Sequence, residues 1–123
     1  MAEFKDEYQC SLQLAIDILG GKWKMRIIWY LLEGTQRFSD FSRRMPDITQ
    51  KTLTQQLREL EEKDIITRTI YAEMPPRVEY NITDYGRELY DTLSGLSSWA
   101  HKYAVDKGIQ VKTKKKTETE QAN

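Results

Sequence analysis

One ten-residue stretch, TQKTLTQQLR at 49–58, concentrates side chains that donate and accept hydrogen bonds and contains no carboxylate. Gln50, Lys51, Thr54, Gln55 and Arg58 stand three and four residues apart, which puts them on one side of a helix. Leu53, Leu57 and Leu60 fall on the other side. The chemistry of such a face suits the edges of base pairs. Glutamine pairs bidentately with adenine, arginine or lysine pairs with guanine O6 and N7, and threonine touches a thymine methyl or bonds a phosphate. Carboxylates, which phosphates repel, begin only at Glu59, in the half of the segment that points away. In isolation the same face also reads as ordinary solvated helix, and the surrounding elements must decide.

Charge distribution favours the first reading. The chain has 123 residues and a formal net charge of zero, which by itself argues weakly against a nucleic-acid partner. Between Lys22 and Arg58, however, eight basic residues face three acidic ones, a local excess of +5. Arg43 and Arg44 lie just before the glutamine-rich stretch, where phosphate contact and plain solvation are equally open. Lys22 and Lys24 are weaker phosphate candidates. Arg77, next to Pro75 and Pro76, reads as reaching a minor groove or a phosphate, against the plainer reading of a surface strand residue.

Other chemistries lack their residues. The single Cys10 cannot form an internal disulfide, and with the single His101 it makes no metal site. There is no glycine-rich phosphate loop and no nucleophile–base constellation, so neither an enzyme nor a cofactor or metal is expected. Cys10 itself has two readings. It is a small half-buried hydrophobe, or a thiol whose thiolate is favoured by a helix N-terminus and which is open to oxidation. Lacking an internal partner, it would then form a small-thiol adduct or a disulfide to a second subunit. No apolar run approaches the roughly 20 residues of a membrane span, and MAEFKDEYQC at the start has no apolar signal core. The expected compartment is the cytoplasm, with no membrane partner.

The elements that must position these residues follow from hydrophobic spacing. CSLQLAIDILGG reads as a helix with one stripe at Leu12, Ala15, Ile16 and Leu19 and a second at Leu14 and Ile18, a two-sided pattern that suits burial against another subunit. KWKMRIIWYLLEG reads as a second helix ended by Gly34, with Trp23, Ile27, Ile28, Leu31 and Leu32 facing the core. Gln36 and Arg37 read as a short strand, and Phe38, Phe41 and Met45 mark a third, short helix. Pro46 and Asp47 make a turn. Thr49 is the N-cap of the fourth helix, which Lys63 and Asp64 close. Period-two segments around Ile66–Ala72 and Val78–Ile82 flank EMPP as a hairpin. A single long helix, capped by Thr83, then carries Tyr85, Leu89, Leu93, Leu96, Ala100 and Tyr103 in one stripe. Gly95 inside it implies a close approach by another helix. The tryptophans Trp23, Trp29 and Trp99 read as core or interface, and Tyr8, Tyr85, Tyr90 and Tyr103 are candidates for lining a ligand pocket. The expected organisation is an arm at 1–9, one domain at 10–106, and a disordered polar tail at 107–123.

This order is mainly α with a small β hairpin, the plan of a winged helix-turn-helix. In that motif the second helix of the pair enters the major groove with its N-terminal half against base edges. The residues also resemble a family, the HxlR-type regulators, a bacterial winged-helix branch related to MarR. The resemblance rests on Cys10, GGKW at Gly20–Trp23, Arg37–Phe38, LTQQLRELE at Leu53–Glu61, PPRVEYNIT at Pro75–Thr83 and Gly86, and covers about Cys10 to Leu89. It departs at Gln50, where the family often has proline. The resemblance implies a homodimer formed through the first and last helices, bound to an inverted repeat in double-stranded DNA. It also implies that some members sense oxidants or electrophiles at the position of Cys10, whereas for others no effector is known. With it, Thr49, Gln50, Lys51, Thr54, Gln55, Arg58, Arg77 and Arg43 are the expected DNA contacts. The alternative is a winged-helix protein–protein interaction module, which would have no need of an acid-free helix face.

Overall fold

The computed structural model describes residues 4–112. Its elements are α1 (Ser11–Leu19), α2 (Lys24–Leu31), α3 (Phe38–Arg44), α4 (Gln50–Glu62), β1 (Ile66–Tyr71), β2 (Arg77–Ile82), α5 (Asp84–Arg87) and α6 (Tyr90–Lys107). The strands form one antiparallel hairpin, with Ile66 opposite Ile82 and Tyr71 opposite Arg77. This is the winged helix-turn-helix order expected from the sequence. By their contacts the described residues divide into two compact units, one ending at Tyr90 and the other beginning at Asp91.

The core of the first unit is built where the stripes meet. Ile27, Ile28 and Leu31 from α2, Phe41 and Met45 at α3, Leu53, Leu57 and Leu60 from α4, and Ile65 and Ile66 at the hairpin base are all buried. Each such side chain contributes roughly 1.5–3 kcal/mol by leaving water. Phe41 meets Tyr80 of β2 edge-on, with ring centroids 6.1 Å apart, so the third helix is tied to the wing. The turn between α3 and α4 closes through the Ile48 N–H, which donates to the Met45 carbonyl at 3.1 Å.

Both ends of α4 are fixed locally. At its start the Thr49 hydroxyl accepts from the Thr52 N–H at 3.1 Å, satisfying one orphan donor. At its end Asp64 adopts a left-handed φ of 63°. The Ile65 N–H then reaches back to the Leu60 carbonyl at 3.0 Å, and the Asp64 N–H reaches that of Glu61 at 3.1 Å. This paired return is a Schellman closure, with buried Ile65 following the turn.

Two sequence expectations about the elements are corrected. The strand at Gln36–Arg37 is only a one-residue bridge from Gln36 to Tyr80, because Arg37 already serves as the N-cap of α3. The single long C-terminal helix is two helices, broken at Glu88 and Leu89. Just before the break, Gly86 packs so closely on the hairpin base that an added Cβ would lie 2.5 Å from Ile82 and 2.7 Å from the Ile65 carbonyl. The short helix docked there ends as the Leu89 N–H turns back to the Gly86 carbonyl at 3.0 Å. Outside its own helix backbone, no atom of the described residues comes within 4 Å of a Cβ placed on Gly95, which leaves that position open.

The two-sided character of α1 is visible. Leu14 and Ile18 are half-buried, whereas Leu12 and Ile16 are 71% and 64% exposed. On α6, Leu96, Trp99 and Tyr103 are exposed as well, with the two rings stacked at 5.6 Å. Trp23 and Trp29 are half-buried, and Trp29 stacks on Tyr90 at 6.0 Å. Of the expected tail, Lys107 still belongs to α6, and 113–123 lie outside the described residues, as do 1–3 at the other end. No helix of the described residues is long and apolar enough to cross a membrane.

Candidate nucleic-acid interface

The inward leucines of α4 decide which way its other face points. With Leu53, Leu57 and Leu60 buried, Gln50, Lys51, Thr54, Gln55 and Arg58 are all exposed. These five side chains line one open surface depression. Thr49 stands exposed at its head as the N-cap. The structure therefore brings six of the eight expected contact residues together on one helix.

The cations on this face differ from those around it. Among the described residues, Lys51 and Arg58 take part in no ion pair. Arg43 stands at the end of α3, paired with Asp40 at 2.5 Å while its side chain stays 69% exposed. Asp40 is in turn fixed by the Arg37 backbone N–H at 2.7 Å. That hydrogen bond, seconded by Arg43, holds its carboxyl below the usual carboxylate range. Arg44 folds over the Tyr30 ring at 4.0 Å and pairs with Glu33 at 2.8 Å.

Arg77 on the wing is more enclosed. Its guanidinium lies 4.2 Å from the Tyr71 ring centroid, 3.3 Å from Glu73 and 3.4 Å from Glu79. Its Nε is buried without a hydrogen bond. Beyond it the tip exposes Met74, which is 95% accessible.

Lys24 corrects the sequence reading of a phosphate-contacting lysine. It is buried, and its Nζ donates to Glu59 at 2.6 Å and to Gln56 at 2.8 Å. The spacing held a signal, because Lys24 stands three, four and seven positions before Ile27, Ile28 and Leu31 on the inward side of α2, but it could not show the partner carboxylate. Glu59, assigned from sequence to the half of α4 that points away, also accepts from Gln55 Nε2 at 3.2 Å. The signal available was the four-residue spacing of Gln55 and Glu59. The hydrogen bond from Lys24, followed by that from Gln55, holds the Glu59 carboxyl below its ordinary value against the opposing effect of burial.

Cys10 is exposed. It is the N-cap residue of α1, although its side chain makes no capping hydrogen bond. Its carbonyl accepts from the Gln13 N–H at 2.9 Å. Nearby, the Tyr8 hydroxyl donates to Asp17 at 2.5 Å, which raises the phenol above its usual range. Tyr85, Tyr90 and Tyr103 are exposed. Among the described residues no cluster of three or more His, Cys, Asp or Glu side chains is placed to hold a metal ion.

Comparison with known proteins agrees with this architecture. Residues 18–107 match the model of the HxlR-like helix-turn-helix family. An uncharacterized HTH-type transcriptional regulator of Methanothermobacter thermautotrophicus is 46% identical over 98 residues, covering 80% of this chain and 75% of the relative. The redox regulator HypR in its oxidized form superposes with a TM-score of 0.72 at 40% identity, covering 76% of this chain and 96% of HypR. The reduced form of the transcriptional regulator YodB from Bacillus subtilis gives 0.67 at 33% identity, over 76% of this chain and 92% of YodB.

Proposed function

This chain belongs to the HxlR-like helix-turn-helix family and is a transcriptional regulator of the HxlR/MarR type, and we propose that it works as a homodimer binding an inverted-repeat operator in double-stranded DNA. The observation that carries this reading is the outward face of α4. Among the described residues its lysine and arginine are exposed without ion pairs, and its glutamines and threonines offer donors and acceptors beside them. In the helix-turn-helix docking mode that face lies in the major groove. Gln50, Lys51, Gln55 and Arg58 then read base edges, while Thr49, Thr54 and Arg43 hold the phosphates that flank them. Arg77 contributes from the wing at the margin. The role is non-catalytic and the compartment is the cytoplasm.

Dimerisation supplies the inverted repeat, since a two-fold protein presents two copies of α4 to two half-sites about one helical turn, or ~34 Å, apart. Support comes from apolar side chains the chain leaves uncovered, Leu12 and Ile16 on α1 and Leu96, Trp99 and Tyr103 on α6. These are the first and last helices of the fold, and a second copy is the cover proposed for them.

Control is proposed to act through Cys10, exposed at the start of α1. Diamide takes two hydrogens from two thiols, joining Cys10 to a small thiol or to Cys10 of the partner subunit. Either product adds bulk beside the proposed dimer helix and alters the spacing of the two copies of α4. The relatives include a protein described as a redox regulator, which supports the same reading.

The test is selection from a random double-stranded library followed by anisotropy titration at several salt concentrations. Enrichment of a two-fold-symmetric site, bound by the parent and lost with Lys51→Ala/Arg58→Ala, is expected. Retention of no sequence above bulk DNA would overturn the DNA reading. Equal operator binding by the parent and Cys10→Ser, each with and without diamide, would remove Cys10 from control.

A further inference from the structure

Behind the outward face of α4 runs a chain of contacts that ends on it. Lys24 of α2 is buried, and its ammonium donates to Glu59 Oε1 at 2.6 Å. The other oxygen of the same carboxylate, Oε2, accepts from Gln55 Nε2 at 3.2 Å. Glu59 thus spends one oxygen on a buried cation and the other on an exposed side chain of the proposed reading face. We propose that Glu59, anchored by Lys24, is a positioning residue for Gln55 and thereby sets which base Gln55 reads.

The physical reason is the one-way chemistry of a carboxylate. An ionised carboxylate only accepts, whereas a glutamine amide carries two N–H donors and an oxygen acceptor. Left alone, an exposed amide turns over about its last torsion and offers either end to a base. Beside Glu59 it must turn its NH2 inward. One N–H is engaged there, and Oε1 with the second N–H remains for a partner. An acceptor beside a donor is what adenine requires through N6–H and N7. Lys24 makes this arrangement hold. It fixes the carboxylate in place across the α2–α4 contact and keeps it ionised, and the second bond from Lys24, to Gln56 Oε1 at 2.8 Å, pins the neighbouring turn of α4.

This inference rests on the proposed reading of DNA by α4, and the experiment separates the two. The parent, Glu59→Gln, Gln55→Ala and the double variant are compared for relative affinity to all four bases at every position of the selected site. Glutamine at 59 keeps the size of the side chain but can donate as well as accept, so it releases the Gln55 amide. Because Glu59→Gln also leaves Lys24 without its anion, Lys24→Met/Glu59→Gln is carried in parallel and bears the test if the single variant melts early. The expected result is that Glu59→Gln flattens preference by about fivefold or more at the base pair that Gln55→Ala flattens, leaves other positions alone, and adds nothing in the Gln55→Ala background. Preference unchanged by Glu59→Gln while Gln55→Ala flattens it would overturn the proposal. So would a loss spread equally over all positions and both backgrounds, which is the mark of simple helix stabilisation. If Gln55→Ala flattens no position, the positioning role falls with it. The DNA reading still stands in that case if Lys51→Ala/Arg58→Ala abolishes binding, and falls separately if it does not.

Discussion

Two surfaces of this molecule carry exposed or half-exposed arginines, and they are built in opposite ways. On α4, Arg58 stands with Lys51, two glutamines and a threonine, and among the described residues no carboxylate pairs with either cation. On the hairpin, Arg77 is held between Glu73, Glu79 and the Tyr71 ring, and Arg68 lies 3.7 Å from Glu61. The difference teaches that a basic residue near a binding surface is informative only with its partners counted. A phosphate approaching Arg58 meets an available cation. One approaching Arg77 must compete with two carboxylates already in place and face their repulsion. The packing beneath differs as well. The helix rests on three buried leucines, whereas along β1 every residue after Ile66 is exposed.

The largest expected effect tests that packing. Leu57→Ala, beneath the reading face, should lower stability by about 2–5 kcal/mol, whereas Ile70→Ala on the outer wing should stay within about 0.5 kcal/mol. Chemical denaturation of both variants checks this, and equal losses would mean that the wing is as firmly packed as α4.

Next in size is the loss of reading contacts. Arg58→Ala and Gln55→Ala should each cost about 1–3 kcal/mol of operator affinity where they meet base edges. Anisotropy titrations at fixed salt give the values. Parent-like binding by both variants would remove α4 from the interface.

The pair behind the face adds a pH-dependent contribution. Glu59 has its folded value lowered below 4.5, first by the Lys24 hydrogen bond. The stability it brings is therefore present in full above pH 4.5 and is lost as pH falls through the lowered folded value. Thermal melts from pH 7 to 3 should show a shallower acid decline for Glu59→Gln than for the parent. Parallel curves would mean that the ion pair carries no net stability.

The smallest effects belong to the wing. Arg77→Ala should change the slope of log affinity against log salt by well under the ~0.9 expected for one phosphate contact. Glu73→Ala/Glu79→Ala, which releases the arginine, should steepen that slope toward one further contact. A full unit lost on Arg77→Ala would place the wing on the same footing as α4.

Much of this was legible in the sequence. The leucine spacing of α4 set its inward side and hence, by elimination, the outward set from Gln50 to Arg58. Thr49 and Thr83 announced their helices because a hydroxyl cap is a local interaction between neighbours in the chain. The alternation around EMPP gave the hairpin for the same reason, since strand periodicity needs only adjacent residues. What the tertiary structure decided was every matter of pairing between distant positions. Lys24 reads as one more surface cation until Glu59, thirty-five positions away, is brought against it. Arg77 reads as a free wing arginine until the strand register sets Tyr71 across from it. The stripe from Tyr85 to Tyr103 reads as one helix until Gly86 is set against the Ile65 carbonyl, and the backbone breaks after Arg87. Periodicity and caps are properties of neighbours and survive in the bare sequence, whereas the partner of a charge and the close fit of a glycine exist only once the chain has folded back on itself.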